Sequence, residues 1–243
     1  MSQLTVNLDM VAALRELSGT GQPDPAQAAV IAELNGADGI SISMRRDRRF
    51  VRDRDLYLLK GVAKTKLIVE MPPSEETIER VAEVKPWMVV FVDGHADSQS
   101  PVTTIDFDMA EVDFSDVSAR LTGIGVQVGF FIEPKSDQVK GAAKSGASAV
   151  LFDCSGYTQA RTLDEAQQQL DAIDSAVQVA TKQSVGVYCG RGVTYQNARP
   201  LVELGLVDEF IIGRALASRA MLMGFESAVR EMKHLLTATQ PQQ

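Results

Sequence analysis

Short apolar runs rich in β-branched and aromatic residues alternate with amphipathic helical stretches along the whole of this chain, and that alternation restricts its architecture more than any other feature. The first run, Leu4–Asp9 (LTVNLD), is followed after a Gly/Pro-rich loop by PDPAQAAVIAELNG, where Pro25 can open a helix and Gly36 can close it. GISISM and RDLYLLKGVA form a second pair, and KLIVEM and SEETIERVAEV a third, with Ser74 and Thr77 placed to cap the helix. WMVVFV leads into an irregular segment from Asp93 to Asp113 and then FSDVSARLTGIG. VQVGFFI precedes SDQVKGAAKSGA, and AVLFD precedes a long helix from about Thr162 to Thr181. VGVYC with NARPLVELGL, and EFIIG with the closing helix RAMLMGFESAVREMKHLL, complete eight strand–helix units.

Strand–helix alternation calls for right-handed crossovers between parallel strands. Eight repeats predict closure into one (β/α)8 TIM barrel, a single α/β domain over residues 1–243. An open doubly wound sheet is the competing arrangement; it is disfavoured because no G-x-G-x-x-G follows TVNLD. NGADGI, KSGASAV and ELGLVDEF each set a helix-end glycine before the next strand, which marks the non-catalytic face of a barrel. The tail from Thr237 to Gln243 is expected to fray.

Composition narrows the partners. With 24 basic and 32 acidic residues the net charge is −8, which argues against nucleic acid, whose phosphates need a basic face. Cys154 and Cys189 are too few for a disulfide framework and lie in no metal-like pair. No apolar run reaches membrane-spanning length, and MSQLTVNLDM lacks a basic start and an apolar signal core. A soluble, cytoplasmic protein is expected, with no membrane partner.

A barrel of this kind builds its site at the C-terminal strand ends. Those ends supply Asn7 and Asp9, Ser43 and Arg45, Glu70, Asp93, Glu133, Asp153, Gly190 to Gly192, and Gly213 with Arg214. YCGRGVTY and FIIGRALA place a Gly-Arg pair at each of the last two ends, where barrels bind phosphate through backbone N–H groups and a helix N-terminus. Gly192 and Gly213 would let the backbone approach a phosphate, and Arg214 would add a charge-assisted contact. The segment from Arg45 to Arg54 holds six arginines in ten positions. Arg45 is read toward the mouth; Arg46, Arg48, Arg49, Arg52 and Arg54, interleaved with Asp47, Asp53 and Asp55, are read as a salt-bridged loop and helix start. Glu70 closes an apolar strand, so burial can raise its pKa into the acid–base range; pairing with an arginine such as Arg45 is the equal alternative. Asp9 carries the same ambiguity, its alternative being a cap for the following loop.

Taken together, VNLDMVAALRE, PDPAQAAVIAELNGADGIS, RRDRRFVRDRDLYLLK, VEM, VTT, GRGVTYQN and IGRALASRAMLMGFESAVREMKHLL resemble the pyridoxine 5′-phosphate synthase family over nearly the whole chain. The resemblance implies condensation of deoxyxylulose 5-phosphate with an aminoacetone phosphate, releasing water and phosphate, with no metal or other cofactor. It implies a phosphorylated small-molecule ligand and a homo-oligomer. It carries the family's catalytic glutamate onto Glu70, ligand contacts onto Asn7, Asp9, Arg45 and Thr103, and phosphate-site glycines onto Gly192 and Gly213.

The departures fall on the imidazoles. Met10, Ser43, Arg191 and Arg214 stand where the family has histidines, those at Ser43 and Arg191 being catalytic; Phe50 replaces a further ligand histidine and Ser18 an arginine. Serine is no base near neutral pH without a partner, and arginine stays protonated, so neither replaces a proton shuttle. Each such group contributes roughly 10²–10⁴-fold. His95, in the loop after the fourth strand, is the one conceivable substitute, and His234 reads as a surface residue. The expectation is therefore a phosphate-binding relative with the condensation lost or altered. The rivals are a working synthase with a rearranged proton relay and a non-catalytic B6-phosphate-binding or regulatory partner. Whether Asp153 neutralises Arg191 is left open.

Overall fold

The computed structural model describes residues 1–45, 47, 49–93, 103–108 and 112–238. Eight strands run in parallel: β1 (Gln3–Asn7), β2 (Gly39–Ser43), β3 (Lys66–Met71), β4 (Met88–Phe91), β5 (Gln127–Ile132), β6 (Ala149–Asp153), β7 (Gly186–Gly190) and β8 (Glu209–Ile212). They pair in sequence order and β8 pairs back on β1, closing the barrel that the alternation predicts.

The helices begin where the sequence supplies caps. In α2 (Pro25–Leu34) Pro25 fills the first position and the Asp24 carboxylate accepts from Ala26 N at 2.8 Å. In α4 (Glu75–Val84) Ser74 Oγ accepts from Thr77 N and Thr77 Oγ1 from Ser74 N, at 3.3 and 3.2 Å. The remaining helices are α1 (Asp9–Ser18), α3 (Asp53–Val62), α5 (Phe114–Gly123), α6 (Ser136–Lys144), α7 (Ser155–Thr158), α8 (Leu163–Lys182), α9 (Ala198–Glu203), α10 (Arg214–Met223) and α11 (Phe225–Thr237).

Three local expectations are corrected. Asp9 is the first residue of α1 rather than the end of a strand, and the Gly/Pro-rich loop begins only after Ser18. The closing stretch is two helices because Gly224, at φ 84° and ψ 148°, leaves helical geometry between them. Thr237 is the last residue of α11, its hydroxyl donating to Lys233 O at 2.9 Å, so fraying does not begin there. Positions 239–243 lie outside the described residues.

Side chains alternate across each strand, so burial divides into two layers. Ile68, Val90, Phe131, Leu151, Tyr188 and Ile211 pack together inside the barrel. The larger cluster, including Leu4, Ile40, Val69, Phe91, Phe130 and Phe210, fills the space between strands and helices. At the bottom, Glu209 takes hydrogen bonds from Thr5 and Lys66, and the Lys66 ammonium lies 5.0 Å from the Trp87 ring centroid. Among the described residues no helix is long and apolar enough to cross a membrane.

Candidate functional site

The mouth is assembled from the β1, β2, β3, β7 and β8 ends. Asn7 closes β1, and its Oδ1 accepts from Asp9 N at 3.1 Å. Asp9 then reaches to β2, accepting from Ser43 N at 2.7 Å and from Ser43 Oγ at 2.5 Å. Both Asp9 oxygens are thus engaged, and Asp9 acts as a tether between α1 and β2 rather than as a loop cap. Ser43 is bound to a carboxylate, the partner that a serine base lacks in isolation.

Glu70 sits beside Ser43 in the β2–β3 register and is 3% exposed. Its partner is Arg191 at the end of β7, whose Nη2 lies 3.2 Å from Glu70 Oε2. The Arg191 guanidinium also lies over Phe131, 4.7 Å from the ring centroid. Burial pushes the Glu70 carboxyl up to about 7; Arg191 opposes that rise and Asp9 adds to it. A single contact of this length does not offset the loss of water. Two sequence alternatives are settled here. Arg45 is not the partner of Glu70, and Asp153 does not neutralise Arg191: its Oδ1 accepts from Ser155 N at 2.8 Å and starts α7.

Arg191 and Gly192 take φ values of 63° and 73°, a left-handed turn that only the second adopts without strain. A Cβ on Gly192 would come within 2.1 Å of Thr158 Oγ1. Asn197 fixes this turn, donating from Nδ2 to Gly192 O at 3.0 Å and accepting from Thr194 N at 2.7 Å. Gly213 ends the β8 side, where a Cβ would meet Asn7 Oδ1 at 2.8 Å. No side chain caps α10, so its first-turn N–H groups remain available at the mouth.

The β2–α3 loop covers the opposite side. Arg45 forks onto Asp47 at 2.8 and 2.6 Å, and Asp47 is held down at about 2 chiefly by that hydrogen bond. The shape of the loop depends on a residue that sequence reasoning passed over. Arg15, 9% exposed on α1, forks onto Asp55 at 2.6 and 2.8 Å and donates to Phe50 O at 2.7 Å. Phe50 itself holds a φ of 69°. The quoted VNLDMVAALRE and RDRD motifs contain both partners, but nothing local links them. Arg52 forms the expected salt bridge, to Glu16 at 2.9 Å. Arg46 and Arg48 lie outside the described residues.

These parts enclose a cavity of about 340 Å³. Asn7, Asp9, Met10, Ser43, Arg45, Phe50, Glu70, Arg191, Gly192, Gly213 and Arg214 all line it. Arg49 lines it too while keeping the loop salt bridge expected of it, its Nε 3.6 Å from Asp47 Oδ2. Thr103 does not: it is exposed and pairs with Asp93 in an isolated bridge. Ser18 caps the end of α1, its hydroxyl donating to Arg15 O at 2.9 Å. His234 is exposed on α11, and His95 lies outside the described residues. Among the described residues the wall carries four arginines, Arg45, Arg49, Arg191 and Arg214, against two carboxylates, Asp9 and Glu70, and no histidine. In a chain of net charge −8 this is a local reversal of sign. Among the described residues no group of three or more His, Cys, Asp or Glu is placed to hold a metal.

Fold and site together define a (β/α)8-barrel protein with a cationic, glycine-walled pocket at the C-terminal mouth. The family model described as Pyridoxal phosphate biosynthesis protein PdxJ matches residues 4–238. The chain belongs to this family. Pyridoxine 5′-phosphate synthase of Geobacter sulfurreducens is 38% identical over 236 residues, covering 97% of this chain and 99% of that protein. The Synechococcus protein of the same name is also 38% identical over 236 residues, with the same coverage. Among solved structures, a 4-hydroxy-2-oxoglutarate aldolase superposes with a TM-score of 0.62 at 17% identity, covering 96% of this chain and 94% of the other. A thiamine phosphate pyrophosphorylase from Pyrococcus furiosus gives 0.62 at 13%, covering 97% and 95%. These two likenesses concern the fold.

Proposed function

We propose that this protein binds a phosphorylated small molecule at the barrel mouth and that the condensation named for its relatives is lost or altered. The phosphate is held by Gly192, Gly213, the α10 N-terminus and Arg214. The observation that carries this reading is the cavity wall itself, which among the described residues sets four arginines and no histidine around a glycine-lined turn. Fixed guanidinium charge stabilises a bound anion, but it does not exchange protons near neutrality. Glu70, at about 7, is the group left for acid–base work, and the Ser43–Asp9 hydrogen bond orients a hydroxyl beside it. That pair supports a second reading, in which a synthase with a rearranged relay retains proton transfer through Glu70.

Calorimetric titration with inorganic phosphate and pyridoxine 5′-phosphate tests the first reading. Binding of both is expected, with Arg214→Ala removing most of it; unchanged binding in that variant overturns the assignment. Formation of pyridoxine 5′-phosphate from the two precursors, abolished by Glu70→Gln, would establish the second. We also infer a homo-oligomer. Met10, Leu14 and Leu17 on α1, and Met221, Leu222 and Met223 on α10, expose apolar side chains on helices that touch. Light scattering should report more than one copy per particle for the wild type and a monomer for Leu17→Glu.

A further inference from the structure

The phosphate reading sets Arg214 and the glycines on the phosphate and counts Arg191 only as general positive charge, with no ligand group of its own. From the end of β7 its side chain crosses the mouth to Glu70 on β3 and lies over Phe131 on β5, away from the α10 end that carries Arg214. We propose that Arg191 forms a second anion subsite on the cavity floor and that the ligand is a small phosphorylated carboxylate. Its phosphate occupies the glycine turn and its carboxylate meets Arg191. The inference rests on the phosphate reading and extends it to a substrate class.

Three observations carry it. First, a guanidinium has five N–H donors, and among the described residues Arg191 spends one, on Glu70 at 3.2 Å. The contact with Phe131, 1% exposed, holds the guanidinium against the ring and leaves its remaining donors for an incoming planar group. Second, the neighbouring carboxylates compete only in part. Both Asp9 oxygens are occupied by Ser43. Glu70 holds Arg191 through one 3.2 Å contact, with burial raising its carboxyl so that the protonated form is available to donate to a ligand carboxylate while giving up Arg191. Third, size and charge agree. A cavity of about 340 Å³ suits a short-chain ligand, and one negative charge matches one guanidinium. A second phosphate, near two negative charges, would face Asp9 and Glu70 unfavourably.

Glycerol 3-phosphate and 3-phosphoglycerate form a matched pair of probes, differing in a hydroxymethyl against a carboxylate. Calorimetry at pH 7 should show the carboxylate probe binding at least about tenfold tighter to the wild type. Arg191→Gln should bring that ratio to near one, with the loss falling chiefly on 3-phosphoglycerate rather than on glycerol 3-phosphate, and Arg191→Lys should keep part of the preference. A circular dichroism spectrum like that of the wild type establishes that each variant is folded. Glu70→Gln, which removes the competing carboxylate in a differently placed variant, should raise 3-phosphoglycerate affinity severalfold. Binding of glycerol 3-phosphate with no advantage for the carboxylate, or an advantage that survives Arg191→Gln, overturns the inference alone. Failure of inorganic phosphate and both probes to bind overturns the phosphate reading and the inference with it.

Discussion

Replacing Glu70 by glutamine should change how the stability of this protein depends on pH, by an amount the structure sets. The Glu70 carboxyl moves from 4.5 to about 7 on folding because burial withdraws it from water and one contact to Arg191 does not compensate. A carboxyl whose folded pKa lies above its unfolded value binds its proton more tightly in the native state. Its contribution is complete below about pH 4.5, falls as pH rises through the interval, and is gone above about pH 7. A difference of about 2.5, at about 1.4 kcal/mol each, amounts to about 3 kcal/mol.

For a chain of 243 residues that corresponds to about 6–12 °C in Tm. The assay is thermal unfolding by circular dichroism between pH 4.5 and 8.5 on wild type and Glu70→Gln. Every other titrating group is shared, so the difference curve isolates Glu70. It should show the wild type losing ground steadily from pH 5 to 7 and then levelling. A flat difference curve would refute the reasoning. A curve of opposite slope would mean that Arg191 holds Glu70 ionised, with the ion pair outweighing desolvation.

Arg15→Ala leaves Asp55 buried at 3% exposure without its fork and should cost about 3–5 kcal/mol in urea unfolding. Asp55→Ala should cost a similar amount and the double variant less than the sum; strict additivity would deny the coupling. Gly213→Ala drives a Cβ to 2.8 Å from Asn7 Oδ1, so calorimetry should show at least about tenfold weaker phosphate binding, and wild-type affinity would remove Gly213 from the phosphate site. Gly192→Ala meets both a φ of 73° and a contact of 2.1 Å to Thr158 Oγ1. Destabilisation of about 1–3 kcal/mol is expected, and Thr158→Ala should relieve only the steric part.

The barrel was legible because its signal is local. Each strand is a short apolar run, and each following helix carries its own start, as with Pro25 and Ser74. Where the local signal fades, the reading slips. The apolar spacing of RAMLMGFESAVREMKHLL runs through Gly224 unbroken, so one helix was expected where a positive φ makes two. The site was legible as a set of strand ends, since topology alone brings Asn7, Ser43, Glu70 and Gly213 to one mouth. Its pairings were not. Arg191 and Glu70 are 121 positions apart and Arg15 and Asp55 are 40 apart, and partner choice among six nearby arginines is decided by side-chain reach in three dimensions. Arg45 goes to Asp47, two residues away, and that frees Glu70 for Arg191.

That exchange of partners also bears on what the residue at position 191 can do. A histidine at position 191 would titrate near neutrality and pass protons to a carboxyl held at about 7. A guanidinium there stays charged, leans on Phe131, and cannot return to the neutral form that a general base requires. An arginine in place of a titrating imidazole therefore enlarges the positive field over the cavity floor. Glu70, facing a permanent cation and still protonated about half the time at pH 7, becomes the component that decides how much of that charge a ligand meets. Under the proposed function, anion binding by this pocket and the ionisation of one buried carboxyl are a single linked equilibrium, so binding measured across pH 6 to 8 should vary with the protonation of Glu70.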